Sequence, residues 1–268
     1  MDTTAAAAAP AHDDALTICA ISILAFILAD VLHEAVGHAL LALLTGAQSG
    51  VLSTTAWSSS FDSRLVAAGG TLVNLAAGLI FWIALRSANN AGIATRLFLL
   101  LTCAFNLFTG TGYFFFSGVT DFGDWAAVIA PMHPHWLWRT LLIFVGMGAY
   151  YGAVLAVGYG VVRYTGVAAN DRTRLRKLLF LPYFSAIAIA IAGGLLNPVG
   201  FSLVWQSALP ATAGANSGLL WLQYYIPSRT TPQGPPLALN RNYAWIAVAV
   251  ICSFLFVALL GPGIALRR

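Results

Sequence analysis

The sequence predicts an all-α fold, a polytopic membrane helix bundle with about six or seven transmembrane helices, and three observations carry that reading. Only 8% of the 268 residues are charged while 59% are apolar, and a water-facing domain needs about a quarter charged. Several uncharged apolar runs reach the ~20 residues that a helix needs to cross a bilayer. The few Lys and Arg fall mostly in the short segments between those runs.

Taken in order, the first span covers 16–44 and exceeds one crossing, so it tilts or protrudes. A Ser/Thr/Gly-rich segment, GAQSGVLSTTAWSSSFDSR, follows. It is too polar to span, and its partial alternation allows a short hairpin. Further spans are read at 65–85 and 97–116. The polar stretch SGVTDFGDW then leads into a short apolar piece ending at Pro131. Spans at 141–162 and 178–196 flank a basic loop holding Arg163, Arg172, Arg174, Arg176 and Lys177. The stretch 199–226 is apolar but broken by Pro210 and by Gly, Ser and Asn, which leaves a crossing, a re-entrant piece and a lid all open. A Pro-rich loop precedes the last span at 243–260. No internal repeat is evident.

The net charge of +4 forms no dense basic stripe, which argues against nucleic acid as a partner. Cys19, Cys103 and Cys252 lie in apolar runs and read as small buried hydrophobes. No Lys or Arg precedes the first apolar run, so that run is expected to be retained rather than cleaved as a signal. If two spans separate the loop of Arg86 and Arg96 from the loop at 163–177, both lie on one side. The positive-inside rule makes that side, and the N-terminus with it, cytoplasmic.

Chemistry concentrates in the first span, in ILADVLHEAVGHALLALL. Asp30, His33, Glu34 and His38 sit there within nine residues, and Glu34 is the only Glu in the chain. An ionisable group at membrane depth costs about 2.5–3.5 kcal/mol on insertion scales, so it faces the protein interior and marks function by default. The bland alternative is a polar seam of hydrogen-bonded histidines between helices. Two neutral imidazoles suit a zinc ion, and a carboxylate beside them can take a proton from water at the metal. Asp30, one turn before His33, is placed to accept that imidazole's second N–H. The spacing is HExxxH. In a regular helix, residues five apart diverge by about 140°, whereas residues four apart lie within about 40°. Convergence on one ion therefore requires a π-bulge near Ala35 to His38, which Gly37 makes easier.

The order of these segments resembles the site-2 protease family of intramembrane zinc metalloproteases. HEAVGHALLALLTG is similar to that family's zinc-binding first core helix. AAGGTLVNLAAGL, over 67–79, resembles its second. FNLFTGTGYFFFSGVTDFGDW, over 105–125, stands where the third core helix carries an Asn and then an Asp ligand. The HExxGH form is also similar to the motif of dipeptidyl peptidase III, a soluble zinc peptidase. The resemblance implies a Zn2+ cofactor held by His33, His38 and one Asp of DFGDW, with Glu34 as general base. It implies a metalloprotease core over 16–130, with additional transmembrane helices over 136–268 of a single integral membrane domain. The expected partners are the lipid bilayer and a membrane-spanning or membrane-adjacent protein substrate.

Between the two aspartates, capping logic favours Asp124 as the third ligand. Asp121 reads as the N-cap of the helix that follows, its oxygens engaged by backbone N–H groups. His133 and His135 stand next in line but read as interfacial loop residues beside Trp136 and Trp138. The resemblance gives Asn74 and Asn106 a substrate or oxyanion role, whereas hydrogen bonding between helices is the ordinary reading. A different class of function remains alongside: a metal- or proton-handling membrane protein using Asp30, Glu34 and the histidines as an ion pathway. A third is a catalytically inactive protease-like scaffold.

Overall fold

The structure, a computed structural model, describes residues 13–61, 63–198, 202, 204–227, 229–232 and 238–268. The N-terminal reading for residues 1–12, and parts of the 199–226 and Pro-rich segments, lie outside the described residues. Among the described residues, six helices are long and apolar enough to cross a membrane: α1 Ala15–Thr45, α2 Arg64–Ser87, α3 Ile93–Thr120, α5 His135–Thr165, α6 Arg172–Leu195 and α7 Tyr243–Leu260. Between α3 and α5 lies the short helix α4, Asp124–Ile129. The all-α membrane bundle expected from composition is the observed architecture.

Polar residues set the helix starts. Asp14 accepts the Thr17 N–H at 2.9 Å, Ser63 that of Leu65 at 3.3 Å and Asp171 that of Arg174 at 3.0 Å. Asn242 accepts from Ala244 and Trp245. Each cap satisfies a donor that the first helical turn leaves unpaired. The stop after α3 is different. Asp121 takes a left-handed conformation (φ 55°) and Gly123 follows at φ 83°, a reversal that suits glycine. Asp121 is thus the C-cap of α3, and the expected N-cap role falls to Gly123. The Asp121 carboxylate pairs instead with His135 Nε2 at 3.0 Å and Arg139 at 3.6 Å. His135 therefore opens α5, six residues ahead of the expected start, rather than sitting in a loop.

The hairpin expected after the first span is present. Strands β1 Ser49–Leu52 and β2 Trp57–Ser58 pair antiparallel, with Leu52 opposite Trp57. The C-terminal strand β3, Ile264–Arg267, pairs antiparallel on the other side of β1, giving the order β2-β1-β3. β2 is thus an edge.

The broken stretch resolves into short π, 3₁₀ and α turns between Val204 and Tyr224. It runs antiparallel to α6 over the whole length of that helix. Val204 packs beside Gly194, Tyr183 donates to the Ala213 carbonyl at 3.1 Å, and Arg172 reaches the Gln223 carbonyl. Its described residues follow α6 and are not among the six helices long and apolar enough to cross a membrane. Irregular backbone is tolerated at membrane depth where protein covers it or a cavity adjoins it, and both conditions hold here.

The bundle thus has two ends. At the basic end lie Asp13, the α2–α3 turn with Arg86 and Arg96, and the α5–α6 turn with its arginines. At the other end lie the small sheet, α4 and the Asp121 cluster. The main core packs α1, α3, α5 and α6 around Phe105, Phe108, Val154 and Leu179. Without a hydrophobic drive between helices in lipid, close approach of small residues does much of the joining. α1 and α2 touch at Gly37 and Gly69, where any side chain would strike the facing backbone.

Candidate metal centre

The first span is regular to Val31 and then becomes π-helical over Leu32–Leu40. Hydrogen bonds reaching five residues back bring residues five apart onto one face. The two histidines therefore converge as the HExxxH spacing requires. Their rings lie edge to face with centroids 4.8 Å apart, and Nε2 of His33 is 3.2 Å from Nε2 of His38.

Each ring has its other nitrogen engaged. His33 Nδ1 bonds the Asn74 side-chain oxygen, and His38 Nδ1 bonds the Val66 carbonyl at 2.8 Å. Both acceptors are carbonyl oxygens, so both Nδ1 atoms carry the proton and both Nε2 atoms present a lone pair. Asn74 is itself oriented: its amide donates to the Ala29 carbonyl at 3.2 Å and to Asn106 Oδ1 at 2.7 Å, and Asn106 donates to the Thr102 carbonyl at 2.8 Å. This places Asn74 and Asn106 behind the His33 ring, in hydrogen bonds that join α1, α2 and α3. The N–H expected to reach Asp30 goes to Asn74 instead. Asp30 Oδ2 is buried without a hydrogen-bond partner.

Asp124, the first residue of α4, completes a triangle. Its Oδ2 lies 3.3 Å from His33 Nε2 and 3.4 Å from His38 Nε2. A tetrahedral zinc with bonds of about 2.0–2.1 Å sets ligand atoms about 3.3–3.4 Å apart. The donor set of two neutral imidazoles and a carboxylate suits zinc over magnesium or calcium. Asp124 Oδ2 has no hydrogen-bond partner of its own. Gly70 leaves the space on the α2 side, since a Cβ there would collide with both Nε2 atoms. Asp121 is not brought to the triangle, and its carboxylate is committed to His135 and Arg139.

Glu34 projects beside the triangle. One carboxylate oxygen is buried without a partner, and the backbone of Trp57 in β2 hydrogen-bonds the group. Glu34, His38 and Asp124 open into a cavity of about 930 Å³ that Trp57, Tyr113 and Trp221 also line.

Three contributors were not singled out in the sequence. Tyr113 stacks on His33, with ring centroids 5.1 Å apart. It lies seven residues after Asn106, two turns along the same face, which is a signal that could have found it. The Val66 carbonyl carries none, because any residue supplies a backbone oxygen. Gly70 lay within a quoted segment, but its role depends on α2 docking against α1.

The fold and the site together define a multi-pass α-helical membrane protein with a buried two-histidine, one-aspartate cluster. No known family model, curated protein or solved structure matches the chain.

Proposed function

We propose that this chain is a zinc-dependent intramembrane peptidase. One observation carries the reading: three donor atoms, His33 Nε2, His38 Nε2 and Asp124 Oδ2, stand at tetrahedral-zinc separations beside a glutamate with one unpartnered buried oxygen. A zinc ion held by these atoms supplies Lewis acidity toward a scissile carbonyl and toward water. Glu34 takes a proton from the attacking water and delivers it to the leaving amine, a role that general acid–base catalysis gives to a positioned carboxylate. Asn74 and Val66 hold the histidine rings in the tautomer that keeps Nε2 available.

The substrate is a membrane-spanning or membrane-adjacent protein segment. A helix hides its carbonyls in internal hydrogen bonds, so the segment must unwind before it is cut. β2 is an edge strand, and Trp57 and Ser58 line the cavity beside Glu34. An extended segment added to that edge would be held by main-chain bonds next to the site. Arg86, Arg96, Arg163 and the run 172–177 gather at one end of the bundle, which the positive-inside rule makes cytoplasmic. The N-terminus then lies inside, and the sheet and α4 lie toward the opposite face.

The test is metal analysis after chelator-free purification, with cleavage of a membrane-embedded reporter. We expect one zinc per chain. Glu34→Gln should keep the zinc and lose about 10²–10⁴-fold in cleavage. A Glu34→Gln variant that cleaves at the wild-type rate would overturn the mechanism. Zinc binding without any cleavage would point to the metal-handling reading.

A further inference from the structure

α2 and α5 both pack against α3, and their ends part at the basic end of the bundle. The gap between them is a cleft of about 390 Å³ lined by Trp82, Arg86, Asn89, Tyr159, Arg163 and Tyr164. Its floor is tightly built. A Cβ at Gly160 would strike Leu100 at 2.9 Å and Trp82 at 3.1 Å, and Trp82 meets Tyr164 edge to face.

Two guanidinium groups face this gap. Arg163 lies over the Tyr159 ring, 5.9 Å from its centroid, which limits where it can swing. Arg86 sits on the exposed last turn of α2. Among the described residues neither has a carboxylate at ion-pair distance. The aspartates at this end are committed elsewhere: Asp13 to Arg174, Asp14 to Arg241, and Asp171 to the α6 backbone. Two arginines in one cleft without an acid partner form a receptor for an anion, and the arginine fork matches phosphate oxygens.

The surroundings select the source of that anion. Tryptophan and tyrosine rings at helix ends sit at the headgroup level of a bilayer. Just below the cleft on α2, Leu79, Ile80 and Ile83 are about 60% exposed, an apolar wall for acyl chains. From this arrangement we propose that the α2–α5 cleft binds the phosphate of an anionic phospholipid, with Arg86 and Arg163 on the headgroup and the α2 face against its chains. Basic pockets between helices on the cytoplasmic side are a recognised setting for such lipids. The cleft is distinct from the metal centre and does not depend on proteolysis.

The experiment uses the full chain in micelles, titrated with phosphatidylglycerol, phosphatidylcholine or inorganic phosphate, with bound species counted by native mass spectrometry. Phosphatidylglycerol should be retained in preference to phosphatidylcholine. Each Arg→Gln change at 86 or 163 should weaken it about fivefold, and both together about twenty-five-fold, if each cation contributes as near a membrane surface. Arg176→Gln, exposed at the same end, should leave retention unchanged. Equal retention of both lipids, or equal loss with Arg176→Gln, would overturn the proposal. Displacement by inorganic phosphate with no lipid preference would assign the cleft to a free anion and overturn the lipid. If the double variant loses its helical circular dichroism, Arg86→Gln alone, on an exposed residue, decides the matter.

Discussion

Two polar clusters, one at the N-terminal end of α1 and one around its π-helical turn, differ in one respect. At the N-terminal end, both carboxylate oxygens of Asp13 are used. Oδ2 takes Arg174 Nε at 2.7 Å, while Oδ1 takes Arg174 Nη2 at 3.1 Å and the Leu239 N–H at 2.9 Å. Asp14 beside it is filled by Thr17 and Arg241. Further along, Asp30 Oδ2 and Glu34 Oε2 are buried with no hydrogen-bond partner, and Asp124 Oδ2 faces the two histidine lone pairs. Both clusters take charge out of water, and both are costly unless compensated. Burial therefore does not distinguish them. The distinction is whether the oxygens are already taken: the closed cluster joins α1, α6 and the start of α7, whereas the open one has atoms left to bind something.

The sharpest test of that difference is removal of a ligand. Asp124→Ala should abolish stoichiometric zinc, because it deletes one corner of the triangle. Asp121→Ala should keep the metal and loosen only the α3–α5 connection, where Asp121 meets His135 and Arg139. Zinc content of the two purified variants decides the assignment, and loss confined to Asp121→Ala would reverse it. The closed cluster should answer the other way. Removing one partner of a buried pair costs about 3–5 kcal/mol, so Arg174→Ala should unfold at markedly lower denaturant while its folded fraction keeps zinc. Replacing both partners, as Asp13→Asn with Arg174→Met, should cost less than Arg174→Ala. If Arg174→Ala loses zinc while still folded, the two clusters are coupled and the comparison fails.

Much of this was legible in the sequence, for reasons that differ by feature. The six long helices follow from apolar run length alone. The π turn follows from two histidines five apart, which a regular helix cannot aim at one ion. Asp124 is favoured because DFGDW offers two carboxylates and Asp121 reads as the N-cap of the helix that follows. The details of that argument were not legible. Asp121 caps the end of α3 in a left-handed conformation instead of the start of α4, and its sequestration comes from His135 and Arg139, which lie 14 and 18 positions later. The Asp13–Arg174 pair was invisible because it joins residues 161 apart. The path of 204–224 along α6 was obscured because Pro210 and the Gly, Ser and Asn residues break its hydropathy.

The smallest of the expected effects separates two candidate supports for His33. Proximity along the helix points to Asp30, whereas the bond observed is to Asn74 from α2. Asn74→Ala would remove the acceptor of the Nδ1 proton. The ring could then shift its proton to Nε2, or rotate away, and either change withdraws the lone pair aimed at the metal. Partners of this kind typically contribute 10–100-fold to metal affinity, so Asn74→Ala should weaken zinc by about that factor in competition with a chelator. Asn106→Ala should cost less, since Asn74 keeps its bond to the Ala29 carbonyl at 3.2 Å. Asp30→Asn should leave affinity near wild type, because the Nδ1 atoms of both rings are held by Asn74 and the Val66 carbonyl rather than by that carboxylate. The reverse order, with Asp30→Asn the damaging change, would mean that the tautomer is held from within α1 and that Asn74 serves only to join the helices.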